Sequence, residues 1–159
     1  MRENDMRILF LISALLLAAA SPGPVAAGEN HMTVRPTRYG FATLVARLDK
    51  AITANKMFVV TRASASKGAA GRGIKILGNM VVGVYRNDFA VRMLAASVAA
   101  GIEAPIRFYI TENADGTATL RYRKPSVVFA PYAGGAKLKE LAGTLDAIFD
   151  RIAAAAAGS

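Results

Sequence analysis

The stretch that decides the fold is residues 106–124, which read IRFYITE, then NADG, then TATLRYRK. Its outer parts are rich in β-branched and aromatic residues, as strands usually are. Asp115 and Gly116, between them, form one of the strongest short signals of a β-hairpin. We therefore expect two paired strands, over residues 106–112 and 117–124, joined by a four-residue turn.

The alternation along this hairpin separates an apolar face from a polar one. If Ile106, Phe108 and Ile110 face the helices, the opposite face carries Arg107, Tyr109, Thr111, Thr117, Thr119, Arg121 and Arg123. A guanidinium can hold a carboxylate, sulfate or phosphate through two parallel hydrogen bonds, and Tyr109 or Tyr122 could line the rest of such a site. The candidate ligand-binding residues are Arg107, Tyr109, Arg121, Tyr122 and Arg123. The alternative is a solvated or dimer-facing sheet, because Arg and Thr are ordinary choices on exposed strands.

Upstream of the hairpin, the hydrophobic pattern predicts a helix over residues 41–55, where apolar side chains recur at helical spacing. Short β-rich runs at residues 57–61 and 80–85 predict two strands. The alternation that starts at Met32 is that of an edge strand. Gly83, inside the second run, indicates a bulge or a close approach of another segment.

A second helix is predicted between Asn87 and Gly101. Asp88 is a good N-cap residue, and one helical face carries Val91, Leu94, Ala95 and Val98. Pro105 prevents the helix from continuing.

The Gly-rich stretch over residues 67–73 fits neither the P-loop nor the dinucleotide-binding spacing. We expect a flexible linker there, with an anion cradle built by Lys67, Arg72 and Lys75 as the alternative. Pro125 and Pro131 bracket an irregular segment.

A last helix is predicted over residues 136–157, with one narrow apolar stripe formed by Leu138, Leu141, Leu145, Ile148 and Ile152. This stripe must pack on something, either the sheet of its own chain or a second subunit. The order of elements is strand, helix, two strands, helix, hairpin and helix. Tight turns between strands that are neighbours in sequence favour an α+β fold of two layers, an antiparallel sheet with helices packed on one face.

The composition excludes several kinds of chemistry. The chain of 159 residues contains no Cys and one His, so it has no disulfide, thiolate nucleophile, zinc ribbon or multi-histidine metal site. His31 is expected to be solvated. We expect no metal site and no cofactor. Among the acids in suggestive places, Asp88, Glu103 and Glu112, only Glu103 is a candidate catalytic group, as a general base if buried.

The N-terminus predicts export. Residues 8–20 carry no charge and follow Arg2 and Arg7, a pattern typical of a signal peptide over residues 1–27 with cleavage after Ala27. The run is too short to span a membrane, which takes about 20 apolar residues. A retained interfacial anchor is the alternative, because Glu3 and Asp5 weaken the basic start. A linker over residues 28–36 would follow.

Export changes how the net charge of +9 is interpreted. In the periplasm, or wherever the chain is exported, the expected partners are anionic envelope components and not nucleic acid. After cleavage no stable membrane span is expected. The alternative is that the charge is merely solvated surface.

An ordered series of motifs resembles the domain of unknown function numbered 302. The series comprises Leu77-Gly78-Asn79, Asn87 to Leu94, Glu103 to Ile110, Ala114-Asp115-Gly116, Tyr122 and Pro125. It covers residues 37–132, and residues 133–159 then form a C-terminal helix and Ala-rich tail. The resemblance implies an α+β fold similar to the TATA-binding-protein architecture, a homodimer, and no established activity. Many members carry an Asp-His pair and a Pro where this chain has residues 63–66 and Met80.

Two functions follow as hypotheses. The first is a non-enzymatic, homodimeric binding module that holds a small anionic or amphiphilic ligand, or a partner protein, on its sheet face. The alternative is a small enzyme of undefined reaction that uses Glu103 with Arg107 and Tyr109.

Overall fold

The computed structural model describes residues 31–158, so the signal peptide expected over residues 1–27 lies outside the described residues. One antiparallel sheet has the strand order β1-β5-β4-β3-β2. Its strands are β1 (Met32–Pro36), β2 (Phe58–Ala63), β3 (Asn79–Tyr85), β4 (Ile106–Glu112) and β5 (Ala118–Arg123). The hairpin expected from the Asp-Gly turn is confirmed, since β4 pairs with β5 with Tyr109 opposite Arg121.

The described residues also form five α-helices and one 3₁₀ helix. They are α1 (Phe41–Ala54), α2 (Ala65–Ala70), α3 (Asn87–Ala96), the 3₁₀ helix Ala99–Glu103, α4 (Pro125–Phe129) and α5 (Gly135–Ala157), of which α4 and α5 follow the last strand. The α+β class is therefore confirmed, while the finer likeness to the TATA-binding-protein architecture stays a prediction. None of the helices in the described range is both long and apolar enough to cross a membrane.

The core lies between the sheet and the long helices α1 and α5. Phe108 on β4 is fully buried, and its ring stacks on Phe149 of α5 with 4.9 Å between centroids. Tyr122 of β5 lies 5.1 Å from the Phe108 ring. Offset aromatic contacts of this kind add to the stabilisation from burying the rings. These three rings fasten the C-terminal helix to the centre of the sheet.

The apolar stripe of α5 is buried along its whole length, as its spacing predicts: Leu138, Leu141, Leu145, Ile148 and Ile152. Its partners belong to the same chain, chiefly α1 and α4. Arg47 of α1 also donates from Nε to the carbonyl of Ala156 at 2.7 Å and from Nη2 to that of Ala155 at 2.8 Å. These bonds satisfy carbonyls that the end of a helix leaves without intrahelical partners.

Three expectations about irregular segments need correction. Residues 32–36, assigned to a linker, form β1. The edge strand indicated by their alternation is confirmed, because β1 pairs with β5 at one end of the described sheet. The Gly-rich stretch is in part helical, since Ser64 caps α2 by accepting a hydrogen bond from the Lys67 backbone N–H. The segment after Pro125 begins with the short helix α4.

Helix α3 turns a different side to the core from the one expected. Phe89, Ala90 and Met93 are buried, whereas Val91 and Leu94 are exposed. Val98, which precedes the 3₁₀ helix, and Ile102, which lies in it, are 79% and 81% exposed. We call these four exposed aliphatic residues, Val91, Leu94, Val98 and Ile102, the α3 stripe.

Asp88 is not the N-cap of α3. The cap position is Arg86, and Asp88 lies in the first turn. There its carboxylate accepts hydrogen bonds from Arg86 at 2.6 and 2.9 Å. The Arg86 hydrogen bonds lower the pKa of Asp88.

The expectation of a close approach at Gly83 is confirmed. A Cβ added at this residue would lie 2.1 Å from Thr61 Oγ1 and 2.7 Å from the Pro105 ring. In the neighbouring strand β2, the pairing shifts between Val59 and Thr61, which is a β-bulge. Glycine is therefore required because two side chains cross over the backbone at this point.

Candidate ligand-binding cavity

The sheet has one side covered by helices and one side that we call the open face. Arg107 and Tyr109 of β4 point to the open face, between buried Ile106, Phe108 and Ile110. Their partners continue the same face, because Tyr109 pairs with Arg121 of β5 and with Val81 of β3. Arg121 in turn pairs with Val34 of β1, and Arg123 with Met32. The strand period thus brings three arginines and a tyrosine together, as the hairpin pattern predicts.

These side chains surround a cavity of about 300 Å³, which we call the open-face cavity. Its lining combines cationic, aromatic and apolar groups: Met32, Val81, Glu103, Ile106, Arg107, Tyr109, Arg121, Tyr122, Arg123 and Val128. The 3₁₀ helix supplies Glu103 and α4 supplies Val128. The cavity therefore lies where the open face meets the segments that close one end of the sheet.

Positive charge predominates in the open-face cavity. Arg107, Arg121 and Arg123 face a single carboxylate, Glu103. Arg107 Nη2 lies 3.9 Å from Glu103 Oε2, and the Arg107 side chain is 54% exposed. A pair with one exposed partner at that separation contributes little, about 0–1 kcal/mol. Arg107 is thus able to exchange Glu103 for the anion of a ligand at low cost.

Arg121 is held more firmly than Arg107. It is half-buried, and its Nη1 donates to Thr111 Oγ1 across the β4–β5 pair. A guanidinium carries five N–H donors, so this bond leaves most of its donor capacity for other acceptors. The bond fixes the position of the planar group in the wall of the cavity.

Glu103 has a second partner that sequence reasoning missed. Tyr132, which follows α4, donates from its hydroxyl to Glu103 Oε1 at 2.7 Å. This hydrogen bond is the main cause that raises the pKa of Tyr132. No local pattern signals the contact, because the two residues are 29 positions apart and Tyr132 lies outside any periodic segment. The three residues of the enzyme hypothesis, Glu103, Arg107 and Tyr109, do line one cavity.

Tyr122 corrects the expected set of ligand-binding residues. It borders the open-face cavity at the end of the sheet, but its ring lies on the covered side and the residue is 1% exposed. Its hydroxyl donates to Asp150 Oδ1 of α5. Burial, followed by the hydrogen bond to Asp150, raises the pKa of Tyr122 to about 12. Tyr122 is therefore a link between sheet and helix, unlike Tyr109.

Asp150 is the centre of a polar cluster on the covered side. Besides the Tyr122 hydroxyl, it accepts a hydrogen bond from Lys124 Nζ at 3.3 Å. Burial alone would raise the pKa of Asp150, but the hydrogen bonds from Tyr122 and Lys124, with the charges of Lys124 and Arg35, outweigh it and lower the pKa. This cluster joins the end of β5 to α5.

The remaining sequence candidates do not gather into a second site. Over residues 31–158, no group of three or more His, Asp or Glu side chains could hold a metal ion. His31 is exposed at the start of β1. Glu112 accepts a hydrogen bond from the Gly78 N–H at 2.6 Å, which fixes the turn before β3.

The fold and the cavity define a class of protein, an α+β domain with a cationic cavity on the uncovered face of its sheet. The family model described as "Domain of unknown function DUF302" matches residues 32–156, and the chain belongs to this family. The match extends beyond the motifs at residues 37–132 to include β1 and most of α5.

A solved structure supports the same fold. The crystal structure of the uncharacterized conserved protein DUF302 from Bacillus stearothermophilus is similar, with a TM-score of 0.69 at 16% sequence identity. The similarity covers 78% of this chain and 96% of that chain. No curated protein matches the chain.

Proposed function

We propose that this protein is an exported, non-enzymatic binding module that holds a small anionic amphiphile in the open-face cavity. The observation that carries the proposal is the arrangement of Arg107, Arg121 and Arg123 around Tyr109 in one cavity of about 300 Å³. This volume is at the lower end of the range found for small-molecule sites, about 300–1,000 Å³. The cavity therefore suits a compact ligand or the head of a longer one.

The lining indicates the chemistry of the ligand. The arginines supply forked donors that match a carboxylate, sulfate or phosphate group. Met32, Val81 and Val128 supply apolar contacts in the same cavity. A purely ionic ligand would leave those contacts unused, and a neutral apolar one would leave the guanidinium groups without an anion. An amphiphile with one anionic head uses both.

Export is part of the proposal and rests on the N-terminal pattern at residues 1–27. In an exported setting, the molecules that combine an anionic head with an apolar body are abundant components of the envelope. Fractionation of cells that express the full chain tests this part. Recovery in the periplasm without residues 1–27 supports it, and recovery in the cytosol with an intact N-terminus contradicts it.

The proposal also includes a homodimer, which the family resemblance implies and to which the α3 stripe gives a surface. Exposed aliphatic side chains that are clustered within one short segment, as these four are, are typical of an interaction site. Light scattering on the purified protein should show a dimer, and the pair of substitutions Val98→Glu and Ile102→Glu should give a monomer. A protein that is monomeric at all concentrations contradicts this part without affecting the cavity.

Titration calorimetry with decanoate tests the binding function. We expect decanoate to bind, decyltrimethylammonium of the same chain length not to bind, and the affinity for decanoate to fall as salt screens the arginines. The double variant Arg107→Gln and Arg121→Gln should lose at least about tenfold in affinity, since it removes two charge-assisted contacts. The double variant Lys50→Gln and Lys137→Gln is the matched control, because both residues are exposed and lie outside the cavity lining. Equal decanoate affinities for the arginine double variant and the control would contradict the proposal.

Glu103→Gln separates the binding module from the enzyme hypothesis. A binding module should bind decanoate more tightly after this change, because the competing carboxylate beside Arg107 is removed. An enzyme that uses Glu103 as its base should keep binding its substrate and lose turnover. Weaker binding of decanoate by Glu103→Gln would contradict the role that we assign to Arg107.

A further inference from the structure

A second cavity, of about 310 Å³, lies between α4 and α5, and we call it the α4–α5 cavity. It is lined by Ser126, Phe129, Ala130, Tyr132, Gly135, Leu138, Lys139 and Ala142. Phe129, Leu138 and Ala142 form a buried apolar floor, each with 3% exposure. Lys139 is the one charged residue of this lining. The cavity is thus suited to an apolar group and has no acid in its wall to bind a cation.

The two cavities meet at one hydrogen-bonded pair. Glu103 lines the open-face cavity, Tyr132 lines the α4–α5 cavity, and the hydroxyl–carboxylate bond between them measures 2.7 Å. The consecutive residues Val128 and Phe129 of α4 likewise border one cavity each. We call these four side chains, which border one cavity or the other, the partition.

The Glu103–Tyr132 pair is linked through Arg107 to the cationic side of the open-face cavity. The Glu103 carboxylate has Tyr132 on one oxygen and Arg107 on the other, at 3.9 Å. An incoming anion that pairs with Arg107 removes the partner of Glu103 Oε2 and places a like charge beside the carboxylate. The resulting repulsion disfavours the side-chain position from which Glu103 accepts the Tyr132 hydrogen bond. If Glu103 moves away, Tyr132 is released from the partition.

We infer that the α4–α5 cavity receives the apolar tail of the amphiphile whose anionic head binds in the open-face cavity, with the Glu103–Tyr132 pair as the latch between them. This inference rests on the proposed function and specifies its ligand as a long-chain amphiphile with one anionic head, for which fatty carboxylates are the probes. The head lies among Arg107, Arg121 and Arg123, and the tail passes the latch to reach Phe129 and Leu138. Short carboxylates fill only the first cavity.

Chain length gives the test. Calorimetric affinities are measured for octanoate and for tetradecanoate below its critical micelle concentration. We expect tetradecanoate to bind at least about tenfold more tightly, because each additional buried methylene contributes. Ala142→Phe, which fills the floor of the α4–α5 cavity, should reduce the affinity for tetradecanoate to that for octanoate and leave octanoate binding unchanged. Ala147→Phe is the matched control, since Ala147 is exposed on the same helix and lines neither cavity.

Two further variants test the cavity and the Glu103–Tyr132 pair separately. Ala130→Trp fills the same cavity from an exposed position at the end of α4, so it serves if Ala142→Phe does not fold. Tyr132→Phe removes the hydroxyl of the latch and should accelerate the association of tetradecanoate in stopped-flow measurements, without changing that of octanoate.

The outcomes separate this inference from the proposed function. Equal affinities for the two chain lengths, or a chain-length effect that survives both cavity-filling variants, overturn the tail site. Octanoate binding that depends on Arg107 and Arg121 would still support the head site in that case. No binding of either carboxylate overturns both.

Discussion

Two tyrosines on adjacent strands of the same sheet have opposite surroundings. Tyr109 of β4 is 37% exposed among the arginines of the open face. Tyr122 of β5 is buried between Phe108 and Phe149, and its hydroxyl is bound by Asp150. The difference shows that the strand period places alternate side chains of β4 and β5 on the open face and in the buried core. Substitutions on the two faces should therefore affect different properties.

The largest expected difference in the free energy of unfolding is between Phe108→Ala and Tyr109→Ala. Phe108 is fully buried at the centre of the aromatic cluster, so its truncation should lower the free energy of unfolding by about 3–5 kcal/mol. Tyr109→Ala should cost less than about 1 kcal/mol, because the side chain stands on an exposed face. Urea denaturation of both variants measures the difference. If Tyr109→Ala costs as much as Phe108→Ala, the open face is part of the core and the comparison fails.

A smaller effect is expected from Tyr122→Phe, which keeps the ring and removes the hydroxyl. The loss of its bond to Asp150 should cost about 1–3 kcal/mol, because a half-buried carboxylate loses a donor. Tyr85→Phe is the control, since its hydroxyl bonds Asn87 at an exposed position and its loss should be within about 0.5 kcal/mol. Equal costs for the two variants would contradict the anchoring role of the Tyr122–Asp150 pair.

The same pair predicts a loss of stability at alkaline pH. The pKa of Tyr122 is raised to about 12 in the folded chain, above the ordinary value of about 10. Folding therefore favours the protonated phenol, and its contribution is complete below about pH 10 and is lost as the pH rises toward 12. Absorbance at 295 nm should show one tyrosine that ionises last, and Tyr122→Phe should abolish that step. Persistence of the late step in the variant would assign it to another residue.

At acid pH the Asp150 carboxylate has the opposite pH dependence, because its contribution to stability is lost as the pH falls. The folded pKa of Asp150 is lowered, so its carboxylate contributes stability above the pKa of the unfolded chain, about 3.9. That contribution is lost as the pH falls through the folded pKa. Asp150→Asn should accordingly flatten the acid limb of a plot of unfolding free energy against pH. An acid limb with unchanged slope would show that other carboxylates control it.

The smallest effect on stability is expected from Arg107→Gln. Its side chain is exposed and its ion pair with Glu103 is long, so the free energy of unfolding should change by no more than about 0.5 kcal/mol. The same variant should bind decanoate more weakly than the unchanged protein. Thermal unfolding and calorimetry on one preparation measure both properties. A large loss of stability would mean that the open-face arginines hold the fold and are not reserved for a ligand.

The sequence predicts the elements with strong periods and misses the contacts that no period controls. The hairpin, the faces of β4 and the buried stripe of α5 follow from regular spacing and agree with the structure. Helix α3 shows the limit of this reasoning. Apolar residues lie around most of its circumference, so spacing cannot decide whether Val91 or Phe89 faces the core.

The candidate site was predicted in part. Its arginines and Tyr109 follow from the alternation, and the same alternation places Tyr122 with Phe108 on the covered side, although its chemistry suggests a binding residue. The Tyr132–Glu103 bond could not be predicted, because it depends on how α4 turns back over the end of the sheet. Contacts of this kind arise from tertiary packing and leave no mark in a local pattern.

The bulge in β2 has a consequence for the behaviour of the protein at high concentration. β2 is an outer strand of the sheet, and a flat, regular outer strand is a template on which the strands of other molecules can stack into aggregates. The extra residue between Val59 and Thr61 interrupts the even spacing that such stacking needs. Arg62, paired with Asp49 at 2.6 Å, adds charge to the same margin. We therefore expect the irregularity in the ladder to oppose amyloid-like growth from this edge.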